Sequence, residues 1–243
     1  MHYVIVGNGI VALSVTFRLL QRAQATDMIT VVGPSNRTGS ATLAAGAMLN
    51  SFGEIGAHSL KSEYDLYHFE LSHQATHMWP EFESELIAAA DDNLPDDCSK
   101  CEVLSGGCFD KGTYIINNAS ADELDDRNFD AILKALEDFN EQHELVSPRD
   151  IPNYYPSQRK RATRAVYIPN EGWLNPGLVV EKLDAILEGD DRVVCRNETA
   201  NHFIKSGSAI EAVELESGEI IEGDVFLLAS GATASELIIR SDL

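Results

Sequence analysis

Apolar positions fall into two kinds of run along this chain: short continuous stretches, and longer ones spaced three and four apart. Tyr3 to Val6 and Met28 to Val32 are short runs that read as buried strands, and the spacing between them predicts a helix from about Ile10 to Arg22. A long helix is predicted over 61–90, where Leu66, Phe69, His73 and Trp79 recur at near-helical intervals, with a kink or boundary at Trp79-Pro80. Residues 91–97 are polar and contain Pro95, which predicts a loop. Cys101 to Ser105 and Gly112 to Ile116 read as two strands joined through Gly106-Gly107. Ser120, with Glu123 three residues on, is expected to cap a helix whose apolar face is Phe129, Ile132, Leu133 and Leu136. Residues 147–164 are Pro-rich and basic and read as a surface crossover. Asn175 and Pro176 open a helix that buries Leu178, Val179, Leu183, Ile186 and Leu187. Strand pieces follow at Arg192 to Cys195 and at Phe203-Ile204. Ile210 to Leu215 and Glu219 to Ile221 form a hairpin through Ser217-Gly218, and Asp224 to Leu228 is a last apolar strand.

Composition narrows the class. The 243 residues are 44% hydrophobic and 23% charged, an ordinary soluble globular balance for one large domain or two small ones. No apolar run reaches the roughly 18 residues that span a bilayer. The first strand starts almost at Met1, so no signal peptide and a cytoplasmic location are expected. A net charge of −21 repels phosphate backbones, so no nucleic-acid partner is expected. Cys98-Ser-Lys-Cys101 has no second ligand pair at zinc-finger spacing, and with Cys108 and Cys195 it reads as free thiols. His68, His73 and His77 read as surface or packing histidines, because no carboxylate–His motif accompanies them. No metal site is assigned.

The chemistry begins at Gly7-Asn8-Gly9-Ile10-Val11-Ala12. It has the G-x-G-x-x-A form, placed between a strand and a helix. Gly7 allows the tight turn, Gly9 lets the backbone approach a pyrophosphate, and Ala12 lets helix and strand pack closely. The helix N-terminus at Ile10 and Val11 favours an anion. The second strand often ends in an acid that holds ribose hydroxyls, but here Gly33-Pro34-Ser35-Asn36-Arg37 follows it. Two readings stand at this point. Arg37 could grip a 2′-phosphate, meaning NADP, or Ser35 and backbone groups could hold a ribose without a carboxylate.

The run Ser40, Thr42, Leu43, Ala44, Ala45, Gly46, Ala47, Met48, Leu49, followed by Glu54, resembles the second flavin-contacting segment of the D-amino-acid oxidase superfamily. Glycine oxidase and the sarcosine oxidases are its nearest members. The resemblance implies FAD, with Thr42 and Leu43 at the phosphates and Ala44 to Leu49 along the flavin. It also implies a backbone contact to adenine at Thr199 or Ala200, and a glycine turn at Ser230-Gly231 delivered to the cofactor by the last strand. The implied fold is α/β: a Rossmann-like FAD-binding domain (1–75 and 165–243) with an inserted α+β substrate domain (76–164).

The implied activity is oxidation of an amine or amino acid, with hydride transfer to flavin N5, release of the imine and production of hydrogen peroxide. No catalytic residue is assigned, and Tyr154 and Tyr155 are candidates only for lining a substrate pocket. The alternatives are a FAD dehydrogenase that passes electrons to a carrier and an NADP-binding module without oxidase activity. The resemblance implies a substantial C-terminal piece beyond the position of Leu243. Either the sequence is a fragment or another chain completes the fold; the expectation is the second, with this chain one subunit or cleavage product of a split oxidase and a second chain as its partner.

Overall fold

The computed structural model describes residues 1–93, 107–118, 120 and 122–243. Strand β1 (His2–Val6) leads through Gly7 into α1 (Ile10–Leu20), and β2 (Met28–Val32) follows. Helix α1 turns Ala12, Leu13, Thr16, Phe17 and Leu20 inward, the stripe expected of a helix packed by one face. A four-residue helix α2 (Ala41–Ala44) and a two-residue strand β3 (Met48–Leu49) precede the long α3 (Glu63–Asn93), which runs through Pro80 rather than ending there.

Strand β4 (Phe109–Asn118) is longer than the sequence predicts and contains Gly112. Helix α4 (Glu123–Asp138) is capped by Asp122, not Ser120. The Asp122 side chain accepts from the Leu124 and Asp125 N–H groups, and Asp125 returns the bond to the Asp122 N–H. A carboxylate at the cap also faces the positive end of the helix. Ser120 is turned instead onto Asn118. Next come β5 (Glu144–Leu145), two single turns in the crossover, β6 (Ala162–Leu174) and α5 (Pro176–Glu188). The chain finishes with β7 (Val193–Arg196), β8 (Ala200–Ser206), β9 (Ala209–Leu215), β10 (Ile220–Glu222), β11 (Val225–Leu228) and α6 (Ala234–Arg240). The strand expected at Cys101 to Ser105 and the Cys98–Cys101 pair lie outside the described residues.

The chain divides into two compact units. The first takes Met1–Ala45, the end of α3 from Glu85, and Pro176–Leu243; the second takes Gly46–Ser84 and Gly107–Asn175. Residues 46–75 and 165–175, which the sequence reading groups with the dinucleotide-binding part, pack with the second unit. Met48 of β3 pairs with Trp173 of β6, which ties both stretches to one sheet.

The first unit holds a parallel sheet in the order β11-β1-β2-β7 and an antiparallel meander β10-β9-β8. Val4, Val6, Val32, Phe203, Val213, Leu215 and Leu237 form one apolar core there. The second unit is an antiparallel sheet, β3-β6-β4 with β5 on β6, closed by a core of Phe52, Phe69, Phe129, Leu136, Val166 and Ile168. The mixed α/β architecture with a parallel sheet is the one expected from the sequence. Among the described residues no helix is long and apolar enough to cross a membrane.

Candidate functional site

Chain direction decides where the first unit can bind a ligand. In a parallel sheet all carboxyl ends lie on one edge, and the loops leaving β1, β2, β7 and β11 share it. Strand β1 connects onward to β2, whereas β11 lies on its other side, so the loops after β1 and β11 flank the point where strand order reverses. Ligands of open α/β sheets bind in that crevice.

The side chains there are small because the backbones are close. Gly7 has φ +127°, and a Cβ on it would stand 2.2 Å from the Ala229 carbonyl oxygen and 2.9 Å from the Ser230 nitrogen. Gly9 caps α1 without a side-chain bond, and a Cβ on it would stand 3.2 Å from Thr42 Oγ1. That hydroxyl accepts the Ile10 N–H at 3.1 Å, which fixes α2 against the start of α1. Val11 is 62% exposed in the first turn. Ser230 Oγ is buried with no hydrogen-bond partner among the described residues, while Gly231, at φ +61°, has open space where a side chain would project.

The absence of an acid after β2 has a steric cause. A Cβ on Gly33 would lie 2.5 Å from Asn8 Cγ, so the Asn8 side chain fills that place, and it donates to the Pro34 carbonyl at 2.9 Å. Arg37 is engaged by protein groups on both sides of its guanidinium. Its guanidinium makes a two-pronged ion pair with Asp184 of α5 (2.8 and 2.6 Å), and its Nε donates to the Asn8 carbonyl. The Ser35 N–H donates to Asn197 Oδ1 at 2.6 Å, which ties the loop after β2 to the loop after β7. Thr199 and Ala200 sit beside that tie. The Thr199 carbonyl accepts from the Glu216 N–H, and Ala200 is paired with Leu215 in the meander. The structure therefore brings Gly7, Asn8, Gly9, Ile10, Gly33, Pro34, Ser35, Arg37, Thr42 and Ser230 to one edge of the sheet.

The second unit has a hollow of its own. Met48, Leu49, Asn50, Glu54, Ser72, Thr76 and Trp79 line a cavity of about 380 Å³. Trp79 Nε1 is buried and has no hydrogen-bond partner among the described residues. An unpaired indole N–H is costly in a protein interior unless a ligand or water accepts from it. Tyr154 and Tyr155 do not line this hollow. The Tyr154 hydroxyl accepts the Ala162 N–H within its own loop, and Tyr155 is 90% exposed.

Behind the hollow, Glu171 is 1% exposed. Its Oε1 accepts from the Phe52 N–H at 2.8 Å and from Ser51 Oγ at 3.1 Å. Burial pushes its carboxyl up to about 7, outweighing those hydrogen bonds. The acid sits where β6 bulges: β6 takes four steps from Ile168 to Gly172 while β4 takes two from Thr113 to Lys111. Pro169, which has no N–H to give a ladder, falls inside the bulge.

The family described as DAO, FAD dependent oxidoreductase, matches residues 2–242. The chain belongs to this family. No curated protein matches it. The fold is shared with glycine oxidase from Geobacillus kaustophilus, at 17% identity over 98% of this chain and 57% of that one (TM-score 0.73). It is shared equally with iminodiacetate oxidase from a Chelativorans species, at 15% identity over 98% and 57% (TM-score 0.72). L-Amino acid deaminase from Proteus vulgaris matches at 13% identity over 98% and 49% (TM-score 0.67). The chain thus spans about half the length of these proteins.

Membership of a FAD-dependent oxidoreductase family agrees with what the crevice offers. The glycine cradle, the α1 N-terminus and the unpartnered Ser230 hydroxyl suit a dinucleotide diphosphate. The Arg37–Asp184 pair supplies no 2′-phosphate clamp. The sequence reading missed Asp184, Asn197, Glu171 and Trp79 as members of these sites. None carries a local motif: Asp184, Asn197 and Glu171 act through partners distant in sequence, and Trp79 is placed only by the folding of the second unit.

Proposed function

We propose that the protein binds FAD at the carboxyl edge of the β11-β1-β2-β7 sheet and oxidises an amine or amino acid to the imine. The observation that carries this reading is the meeting of the loops after β1, β2 and β11 with Thr42 at one edge, inside a chain of this family. Bound FAD supplies the hydride acceptor. The chain's own residues supply position. Gly7 and Gly9 admit the diphosphate to the backbone, the first turn of α1 offers N–H donors, and Ser230 Oγ adds a hydroxyl. In the second unit Met48, Leu49 and Trp79 give apolar walls to the hollow.

The substrate class rests on the names of the similar folds: glycine, iminodiacetate and L-amino acids.

Absorbance of the native protein tests the cofactor. A flavin spectrum, bleached anaerobically by an amino acid or amine, is the expected result. A colourless protein that takes up no added FAD overturns it. Peroxide formed on readmission of air marks an oxidase, and its absence with turnover on an artificial acceptor marks a dehydrogenase.

A further inference from the structure

Three ligand atoms converge in the second unit, away from the hollow's lining. His73 and His77 are one turn apart on α3, so their rings share a face. Glu141 approaches them from the segment after α4. Its Oε2 lies 2.8 Å from His73 Nε2 and 3.2 Å from His77 Nε2, and the two imidazole nitrogens are 2.9 Å apart. We propose that His73, His77 and Glu141 bind a single divalent transition-metal ion, with Zn²⁺ the best match, and that the ion pins α3 to the segment after α4.

The arrangement is built rather than accidental. Helix α4 ends in a left-handed residue, Asn140, at φ +53°. The Asn140 N–H donates to the Glu137 carbonyl and the Glu141 N–H to the Leu136 carbonyl, the paired bonds of a Schellman cap. The Glu141 backbone is thereby fixed. Asn170 Nδ2 donates to Glu141 Oε1 at 2.9 Å, which leaves Oε2 to face the two rings. A carboxylate oriented by a second hydrogen bond is the usual support of a metal ligand. Phe69 stacks on His73 at 5.7 Å, and Phe52 meets it edge-on at 5.2 Å, so that ring has one orientation.

Proton counting favours a cation at the centre. Each Nε2 carries either one proton or one lone pair. Two protonated nitrogens 2.9 Å apart oppose each other, and any other assignment leaves a lone pair turned toward the carboxylate or the second ring. An ion accepts all three lone pairs at once. Ligands about 2.0–2.1 Å from Zn²⁺ in a tetrahedron stand roughly 3.4 Å apart, so the triangle needs to open by only a few tenths of an ångström. Imidazole with carboxylate suits zinc among the first-row ions. The His77 side chain is 47% exposed, which gives the ion an entry path and leaves a fourth position for water.

The test uses the whole protein after treatment with a chelator. Calorimetric titration with Zn²⁺ is expected to show one ion per chain at micromolar or tighter affinity, about 8 kcal/mol of binding free energy or more. Co²⁺ is expected to give visible d–d absorption of a four-coordinate site. His77→Ala removes an exposed ring, so folding is retained, and it is expected to abolish both signals. Asn170→Ala is expected to weaken binding about 10–100-fold by releasing Glu141. Binding of the same stoichiometry and strength in His77→Ala and His73→Ala overturns the proposal, as does the lack of any Zn²⁺ heat or Co²⁺ spectrum in the folded wild type.

Discussion

Gly7 lies directly against the Ala229 carbonyl, so closely that a methyl group on its α-carbon would stand 2.2 Å from that oxygen. The turn after β1 and the turn after β11 touch through this one missing side chain. Its φ of +127° is also a conformation that alanine disfavours. Gly7→Ala must push two backbones apart, at a cost of about 3 kcal/mol or more. Urea denaturation should show that loss, and the variant should retain no flavin after purification.

Asp184 holds Arg37 in place from α5, 147 positions away. The Arg37 side chain is only 10% exposed, so its charge is expensive to leave alone. Asp184→Ala is expected to cost about 1–3 kcal/mol in thermal unfolding. The same pairing predicts that NADP⁺ does not raise the melting temperature of the wild type, whereas FAD does.

Glu171 makes stability depend on pH in an uncommon direction. Its folded carboxyl titrates at about 7 and its unfolded one near 4.5, so between those values the folded state holds the extra proton. Stability from this group is therefore complete below about pH 4.5 and falls as pH rises to 7. The expected loss is on the order of 3 kcal/mol. Glu171→Gln removes that slope. Compared with the wild type, the variant should gain stability from pH 5 to pH 8 in parallel denaturation series.

Trp79 lines the hollow with its ring, while its Nε1 is buried with no hydrogen-bond partner among the described residues. Trp79→Phe keeps most of the ring and deletes the donor. Without ligand the variant should be as stable as the wild type or slightly more so, since an unpaired buried group is lost.

Local signals were legible in the sequence. Strand β1, the turn at Gly7 and α1 could be read because each residue's role there depends on neighbours within a few positions. The meander was equally readable, through Gly218 at φ +87° between β9 and β10. Asp122 took the cap from Ser120 because both stand before the same apolar run, and composition does not rank two good caps two residues apart. Pro80 does not end α3, and Phe69 before it and Leu86 after it are both buried. What stayed hidden was pairing at a distance. Arg37 read as one of two alternatives for the ribose end of a cofactor, and its partner Asp184 lies 147 positions away. His73 and His77 read as packing residues until the cap of α4 brought Glu141 between them. Gly33 looked like a missing acid, and Asn8 explains it.

The surplus residues of β6 divide its pairing with β4 into two short ladders in series, one ending at Ile168 and one resuming at Gly172. The extra residues leave Glu171 outside the pairing with β4, and its carboxyl spans instead to the Phe52 N–H and the Ser51 hydroxyl. The surplus that interrupts one ladder thereby ties down the segment that leaves β3.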